Sequence, residues 1–552
     1  MSNTNFIQIH PKDNVLVALQ NLPKGYRIEF NGSAFFLPRG VAAKHKFTCR
    51  ALDKDSEVVM YGVLVGRLNR DVLAGELLDT QNLRHDTEPY VLGARDLEWT
   101  KPDVSAFVNR RFLGYHRSDG RVGTANYWLV IPMVFCENRN VSTLKEALEE
   151  KLGYRVRKKD YSQQVDQLIA AVEGGDSSSR IRTMEFHPES LPDKHQRLFE
   201  NVDGIKFLNH DMGCGGTRQD SDALCGLLAG YITHPNVAGA TVLSLGCQHA
   251  QVSILKEEIR KREPGYNRPL YVFEQQEQGT EQALMHNVLR STFAGLIEAN
   301  RITRRPAGLD KLCVGLECGG SDGFSGISAN PVLGWVSDML VTLGGSVMLS
   351  EFPELCGVEQ ELSDRCVDVE TAQRFLDLMQ RYNTKAEADG SGFYMNPSPG
   401  NIRDGLITDA IKSAGAAKKG GTSPVQFVAD YPELANKQGL NLLCTPGNDV
   451  ESTTAEVGAG ATIVLFTTGL GTPTGNPIAP VIKVASNTAV YHRMNDAIDI
   501  NCGTVIEGVE TIEQAAHRTL EYLIEIASGQ REAKAVQLGQ DDFIPWRRGV
   551  SL

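Results

Sequence analysis

The chain has 552 residues, 41% of them apolar and 22% charged, which describes a folded protein of about three or four domains and excludes a disordered or fibrous one. Its 56 basic and 68 acidic side chains leave a formal net charge of −12, so no global basic surface is offered to nucleic acid or to an anionic membrane. No apolar run approaches the ~20 residues of a membrane-spanning helix.

Met1 to Ile9 lacks the basic start and apolar core of a secretory signal. The eleven cysteines are scattered and odd in number, which reads as reduced thiols available as ligands. A cytoplasmic location is expected. In residues 1–90, short strands at Phe6–Ile9, Tyr26–Phe30, Ala34–Leu37 and Glu57–Gly62 alternate with turns such as Pro23-Lys24-Gly25 and Asn31-Gly32, predicting a small β domain. Residues 91–110, overlapping the polar stretch 84–108, read as a linker. Residues 111–305 alternate strand and helix, predicting an α/β domain. Trp128–Val134 is a buried strand, and Thr143 and Glu146 have capping-box spacing for a helix that Gly153 stops. Val165 to Val172 is a second helix, 174–200 a polar insertion, Thr241–Leu245 a strand and Val252–Arg262 an amphipathic helix. Residues 306–552 form another α/β domain, with strands at Leu312–Leu316, Ser346–Ser350, Leu440–Cys444, Thr462–Phe466 and Val481–Val484. Polar or glycine-rich sequence begins at each carboxyl end, where open α/β sheets bind ligands.

The richest of these ends is Glu317-Cys318-Gly319-Gly320-Ser321-Asp322-Gly323-Phe324-Ser325-Gly326. Its glycines let backbone amides approach an anion, although a tight βα turn needs the same residues. It is neither a Walker loop nor a dinucleotide fingerprint. Cys136, Cys214 in His210-Asp211-Met212-Gly213-Cys214, and Cys247 stand at strand ends, suited to a divalent metal or an iron–sulfur cluster, or else to plain burial as small hydrophobes. His45, between Lys44 and Lys46, is either an ordinary histidine or a neutral ligand and proton carrier, with Lys46 placed to bind a carboxylate. Thr124 and Asn126 belong to a connector turn that can equally hold a ligand, and Glu351 is a solvated acid, a metal ligand or a base.

Together these segments resemble the altronate/galactarate dehydratase family over nearly the whole chain. The likeness rests on His45-Lys46, Gly120/Gly123 with Asn126, His210 with Gly213-Cys214, and Leu245-Gly246-Cys247. It continues through Glu317 to Asp322, Ser325-Gly326, Ala329-Asn330-Pro331, Asn396 to Asn401 and Pro446 to Asp449. Phe352-Pro353-Glu354 and Thr467 to Gly475 are closer to the altronate members. The sequence departs from the family in a longer 153–205 stretch and in Gly123-Thr124-Ala125-Asn126, which lacks the Arg or Lys often found before that Asn. The resemblance implies a multidomain α/β chain with a small N-terminal β domain (a SAF-type β-clip) followed by two α/β domains.

It also implies iron-dependent dehydration of a sugar acid: D-altronate first, galactarate or another aldarate next. A sulfolactate-type carbon–sulfur lyase and a non-catalytic sugar-acid binder are the other readings, and homo-oligomerisation stays open. For proton transfer the expectation is His45, His210 and Glu351. For carboxylate and hydroxyl contacts it is Lys46, Thr124, Asn126, Ser321, Asp322 and Asn330. The metal is expected as one Fe²⁺, replaceable by Mn²⁺, or as a cluster, with His45, Cys136, Cys214 and Cys247 as the ligand pool.

Overall fold

The computed structural model describes residues 5–93, 95–155, 161–186, 197–435 and 437–549. The N-terminal strands pair antiparallel in short ladders: Phe6–Ile7 with Val15–Ala18 and Lys46–Thr48, Arg27–Phe30 with Ser33–Phe36, and Glu57–Met60 with Val63–Leu68 and Leu83–Arg84. The turn at Asn31-Gly32 has both residues at positive φ, the mirror-image geometry that matches strand twist in a two-residue hairpin. Leu16, Ile28 and Phe47 fill a small core of their own. Val15, Met60 and Val65 instead pack into the core of the last domain with Leu316 and Leu406, so the N-terminal domain is docked. Residues 85–110 hold no helix or strand among those described. They are fastened to the last domain, where Val91 N donates to Gln360 Oε1 (2.7 Å) and Asp96 N to Asp364 O (2.8 Å).

The second region carries a four-stranded parallel sheet in the order Gly204–Phe207, Tyr127–Pro132, Val237–Ser244, Leu270–Glu274. All eight residues of Val237–Ser244 are buried, as expected of a parallel strand covered on both faces. The helix expected to start near Thr143 begins at Asn138 and runs to Leu152. Thr143 lies inside it, its hydroxyl bonded back to Arg139 O at 3.0 Å, and Gly153 ends it at φ 80°. The insertion contains a short helix, Ser178–Arg182; its residues 187–196 lie outside the described residues.

The last region is a seven-stranded parallel sheet in the order Val425–Asp430, Gly439–Cys444, Ser346–Leu349, Cys313–Cys318, Ile463–Thr468, Val481–Ala485, Ile500–Asn501. From Cys313–Cys318 the chain builds first to one side and then to the other. That strand is therefore the topological switch point, where open sheets make their crevice. Strand Arg305–Gly308 pairs with Arg111–His116 and ties the two α/β regions together. Leu129, Leu228, Val242, Phe466 and Val481 share one apolar core between the two sheets. Among the described residues, no helix is long and apolar enough to cross a membrane.

Candidate active site

At the carboxyl end of the switch-point strand, ionisable groups are packed out of solvent. Glu317 and Cys318 end Cys313–Cys318, and Glu351 and Glu354 follow Ser346–Leu349. Glu351 has φ 64°, a left-handed backbone that costs a non-glycine residue free energy and marks functional loops. Its amide is held by Thr445 Oγ1 at 2.8 Å. Lys419 Nζ lies 2.7 Å from both Glu351 Oε2 and Cys318 Sγ, with Lys419 and Glu351 side chains each 1% exposed. Cys318 Sγ also donates to Glu354 Oε2 at 3.0 Å, and Lys412 Nζ sits 2.7 Å from Glu354 Oε1. Deeper still, Ser350 Oγ lies 3.1 Å from Glu317 Oε2 and 2.8 Å from Glu456 Oε1.

Burial, then the charges of Glu351 and Glu456, drives the Glu317 carboxyl well above its usual range. Burial, with the charge of Glu351 behind it and the Ser350 hydroxyl opposing, lifts Glu456 to about 8. Burial also lifts Glu351, reinforced by Glu354 and opposed by Lys419. For Glu354, burial is outweighed by Lys412 and Lys419, and the carboxyl stays low. Two ammonium groups thus neutralise a cluster whose other acids favour their protonated forms.

The loop from Gly319 to Gly323 joins this cluster to the N-terminal domain. A Cβ on Gly319 would lie 2.0 Å from Asp449 Oδ2, and one on Gly323 would lie 2.4 Å from Lys44 O. Glycine is needed at both ends for these close approaches. Asp449 opens helix Asp449–Gly458, and burial, then Glu351 and Glu354, raises its carboxyl to about 6. At the other end Lys44 Nζ bridges Asp322 Oδ2 (3.0 Å) and Asp404 Oδ1 (2.9 Å). His45 is half-buried, with Nδ1 3.2 Å from Ala43 O. That contact makes Nδ1 the donor and leaves the Nε2 lone pair for a proton, and burial lowers the ring's affinity for a second one.

The other expected residues fare differently. Lys46 is fully buried, its Nζ donating to Gly405 O (2.6 Å) and Lys44 O (3.1 Å), with burial lowering it to about 7; it secures the domain contact. Asp322 is saturated: Oδ1 accepts from Ser325 Oγ, Ser486 Oγ and Phe324 N, and Oδ2 from Asn487 Nδ2 and Lys44. It anchors the loop instead of gripping substrate. Ser321 is buried in that loop, its carbonyl held by Asn401 Nδ2 at 2.8 Å. Asn330 spends its amide on Gly415 O (2.9 Å) and Thr467 Oγ1 (2.7 Å).

Thr124 and Asn126 sit at the opposite, amino end of the strands. Thr124 bonds Asn236 Oδ1 and Thr462 O, and Asn126 bonds Arg117, Asn201 O and Ala299 O. Both are structural. His210 is too, for its Nε2–H donates to Pro132 O at 2.7 Å while Nδ1 accepts from Met212 N at 3.1 Å, and burial lowers it to about 4. Lys412, Lys419 and Glu456 carry no sequence motif and were not anticipated.

A parallel sheet with opposed proton donors and acceptors over its switch point defines an enzyme site. Comparison with known proteins identifies its family. Residues 4–86 match the altronate/galactarate dehydratase SAF domain, 114–300 the D-galactarate dehydratase/altronate hydrolase second domain, and 309–551 the D-galactarate/altronate dehydratase C-terminal domain. The chain is 32% identical over 529 residues to the altronate dehydratase of Bacillus subtilis (strain 168), covering 95% of each. It is 30% identical over 535 residues to the altronate dehydratase of Escherichia coli (strain K12), covering 95% of this chain and 96% of that one. It is 28% identical over 541 residues to the L-threo-forming galactarate dehydratase of the same strain, covering 97% and 95%. The chain belongs to the altronate/galactarate dehydratase family and is a hydro-lyase.

Iron is the metal this resemblance implies. Among the described residues, Cys318, Glu351 and Glu354 offer ligand atoms within 4.8 Å of one another, as do His85, Cys356 and Asp409. Neither group contains His45, Cys136, Cys214 or Cys247, so the expected ligand pool is not gathered at one point. The Cys318 group has suitable donors, but ammonium groups already stand where a cation would bind. As arranged, it does not fit an ion.

Proposed function

We propose that the chain dehydrates a sugar acid, D-altronate to 2-dehydro-3-deoxy-D-gluconate and water in preference, with galactarate or another aldarate next. The relatives named altronate dehydratase, at 32% and 30% identity, support that order over the galactarate enzyme at 28%. The observation that carries the reading is the placement of Lys44, the neighbour of His45, and of Asp449 at the two ends of one five-residue glycine loop beside the lysine-balanced cluster.

The proton beside a carboxylate is weakly acidic because the anion it leaves adds to an existing negative charge. Cations near the carboxylate relieve that cost. Lys412, backed by Glu354, and Lys44, backed by Asp322 and Asp404, supply them. His45, neutral with Nε2 open, takes the proton. The electron pair of the broken C–H bond forms the carbon–carbon double bond, and the neighbouring hydroxyl departs as water with a proton from Asp449. The resulting enol becomes the 2-keto acid. Glu351 acts through Lys419, as a positioning residue for that ammonium.

The test is a panel of aldonates, aldarates and sulfolactate offered to anaerobic, iron-supplied protein, with keto acid and sulfite both measured. Keto acid from altronate is expected. Sulfite release alone, or no product from any sugar acid, overturns the reading.

A further inference from the structure

Helix Asp409–Ala416 carries Lys412, whose ammonium is paired with Glu354. Its first residue, Asp409, is fully buried, and the helix itself gives no reason for an acid there. Thr408 already caps it, the hydroxyl accepting from Ile411 N at 3.2 Å. Asp409 Oδ1 has a 3.5 Å contact from Ser413 Oγ, at the outer limit of a hydrogen bond. Oδ2 is buried with no hydrogen-bond partner. A buried polar atom left in that state costs free energy and calls for a partner.

Two other ligating side chains meet this carboxyl. A ring nitrogen of His85, the Cys356 thiol and a carboxylate oxygen of Asp409 all lie within 4.8 Å of one another. They come from three places in the chain. His85 follows the last strand of the N-terminal domain, Leu83–Arg84, Cys356 follows the turn Phe352–Leu355, and Asp409 opens its helix. The three segments are fitted closely. Ala410 N points at His85 Nδ1 at 3.4 Å, so that lone pair faces the start of the helix. Gly357, at φ 91°, is so near residue 87 that a Cβ would lie 2.7 Å from Thr87 Cγ2. Thr408 Oγ1 donates to Val65 O in the N-terminal domain at 2.9 Å. His85 and Cys356 are half-buried, which leaves an entry path from solvent. Glu359 is also near, its charge helping to raise both the Cys356 thiol and the Asp409 carboxyl after burial.

We propose that His85, Cys356 and Asp409 bind a Zn²⁺ ion that clips the N-terminal domain to the last one. Nitrogen, sulfur and oxygen donors together suit zinc, whose tetrahedral shell places such atoms about 3.3–3.6 Å apart. The charges balance. The S–H bond of Cys356 and the O–H bond of the Asp409 carboxyl break, zinc–sulfur and zinc–oxygen bonds form, and two protons leave to solvent. One dication thus replaces two protons, and the buried net charge is unchanged. His85 adds a neutral lone pair, and the fourth position is open to water or to Glu359. The Cys318 group is answered by ammonium groups, whereas Lys412, on the helix of Asp409, is spent on Glu354 and Asn396. The site shares no residue with the ligand pool of His45, Cys136, Cys214 and Cys247. Its role is structural, since it fixes the point where the domain that delivers His45 passes into residues 85–110.

The test uses the full chain, stripped by chelation and kept free of iron, titrated with Zn²⁺ and, as an optical probe, with Co²⁺. One tightly bound Zn²⁺ per chain is expected, with a rise in the unfolding midpoint because the ion binds the folded chain. Co²⁺ should give a near-ultraviolet sulfur-to-cobalt band and the intense visible bands of a tetrahedral ion. His85→Ala, Cys356→Ser and Asp409→Asn should each weaken binding by more than about 10²-fold, beyond the loss of an outer-shell partner, and should remove the zinc-dependent rise. Cys356→Ser should also remove the sulfur band, and Cys136→Ser should keep every signal. If Asp409→Asn folds poorly, the half-buried His85 and Cys356 decide alone. No Zn²⁺ bound at micromolar concentration, a sulfur band that survives in Cys356→Ser, or zinc stabilising His85→Ala as much as wild type would each overturn the proposal. None of these readouts depends on turnover of a sugar acid.

Discussion

Both parallel sheets end in a polar carboxyl edge, and the two edges are clothed in opposite ways. The seven-stranded sheet hides its donors: Cys318, Glu351 and Glu354 are buried and answered by Lys412 and Lys419. The four-stranded sheet exposes Cys136, Cys214 and Cys247, with their loops fixed by backbone hydrogen bonds. At the first edge the buried acids are paired with ammonium groups. The thiols at the other edge stay open to solvent. The contrast sets the buried Cys318, Glu351 and Glu354 group apart from the pool of His45, Cys136, Cys214 and Cys247 expected from sequence.

The sharpest way to break it is Lys419→Met. Removing one partner of a buried pair leaves the other charge uncompensated, at a cost of about 3–5 kcal/mol. Turnover should be lost and the urea midpoint should fall; a variant unchanged in both would show that the cluster is not held by this ammonium. His45→Ala should come next, with kcat down on the order of 10²–10⁴, the usual worth of general-base catalysis. Its midpoint should barely move, because the ring is only half-buried. Glu351→Gln keeps the shape but weakens the hold on Lys419. A fall of roughly 10²–10³ in kcat/KM is expected, with substrate KM little changed.

The pH profile sharpens the same comparison. His45, lowered by burial, must be neutral to act, so kcat/KM should rise with pH through a midpoint below 6.5. Asp449, raised to about 6, must be protonated to act, so the rate should fall on the alkaline side; Asp449→Asn should remove that limb. The smallest effect on activity belongs to the opposite edge. Asn126→Ala removes buried hydrogen bonds and should cost about 1–3 kcal/mol of stability. In the protein that remains folded, kcat/KM should stay as in wild type.

Much of this arrangement is legible in the sequence. The helix Val252–Arg262 and the stop at Gly153 follow from apolar spacing and glycine, and the strand ends point to Glu351 and to the Gly319–Gly323 loop. Lys412, Lys419 and Glu456 are not legible, because each is a single residue brought in by topology from a distant helix or turn. Thr124 and Asn126 stand at the amino end of their sheet, away from the cluster, and a signal for that placement exists in the sequence. They precede their strand, and parallel sheets bind ligands where strands end. Asp322 and His210 show another limit: a polar side chain in a promising loop looks the same in sequence whether its atoms are open or fully spent.

The Lys44 bridge to Asp322 and Asp404 joins residues about 280 and 360 positions apart in the chain. The N-terminal domain therefore delivers His45 as a tethered component. Because residues 85–110 are pinned to the last domain at Gln360 and Asp364, the tether is short in effect and the local concentration of that domain at the site is high. Ionic strength acts on such an arrangement in an unusual place. Salt screens an exposed pair most, and Lys44, with its side chain 19% exposed, is the partly open member of the joint. A half-assembled site is then an encounter between parts of one molecule, tuned by linker length and salt as well as by the chemistry of the groups it brings together.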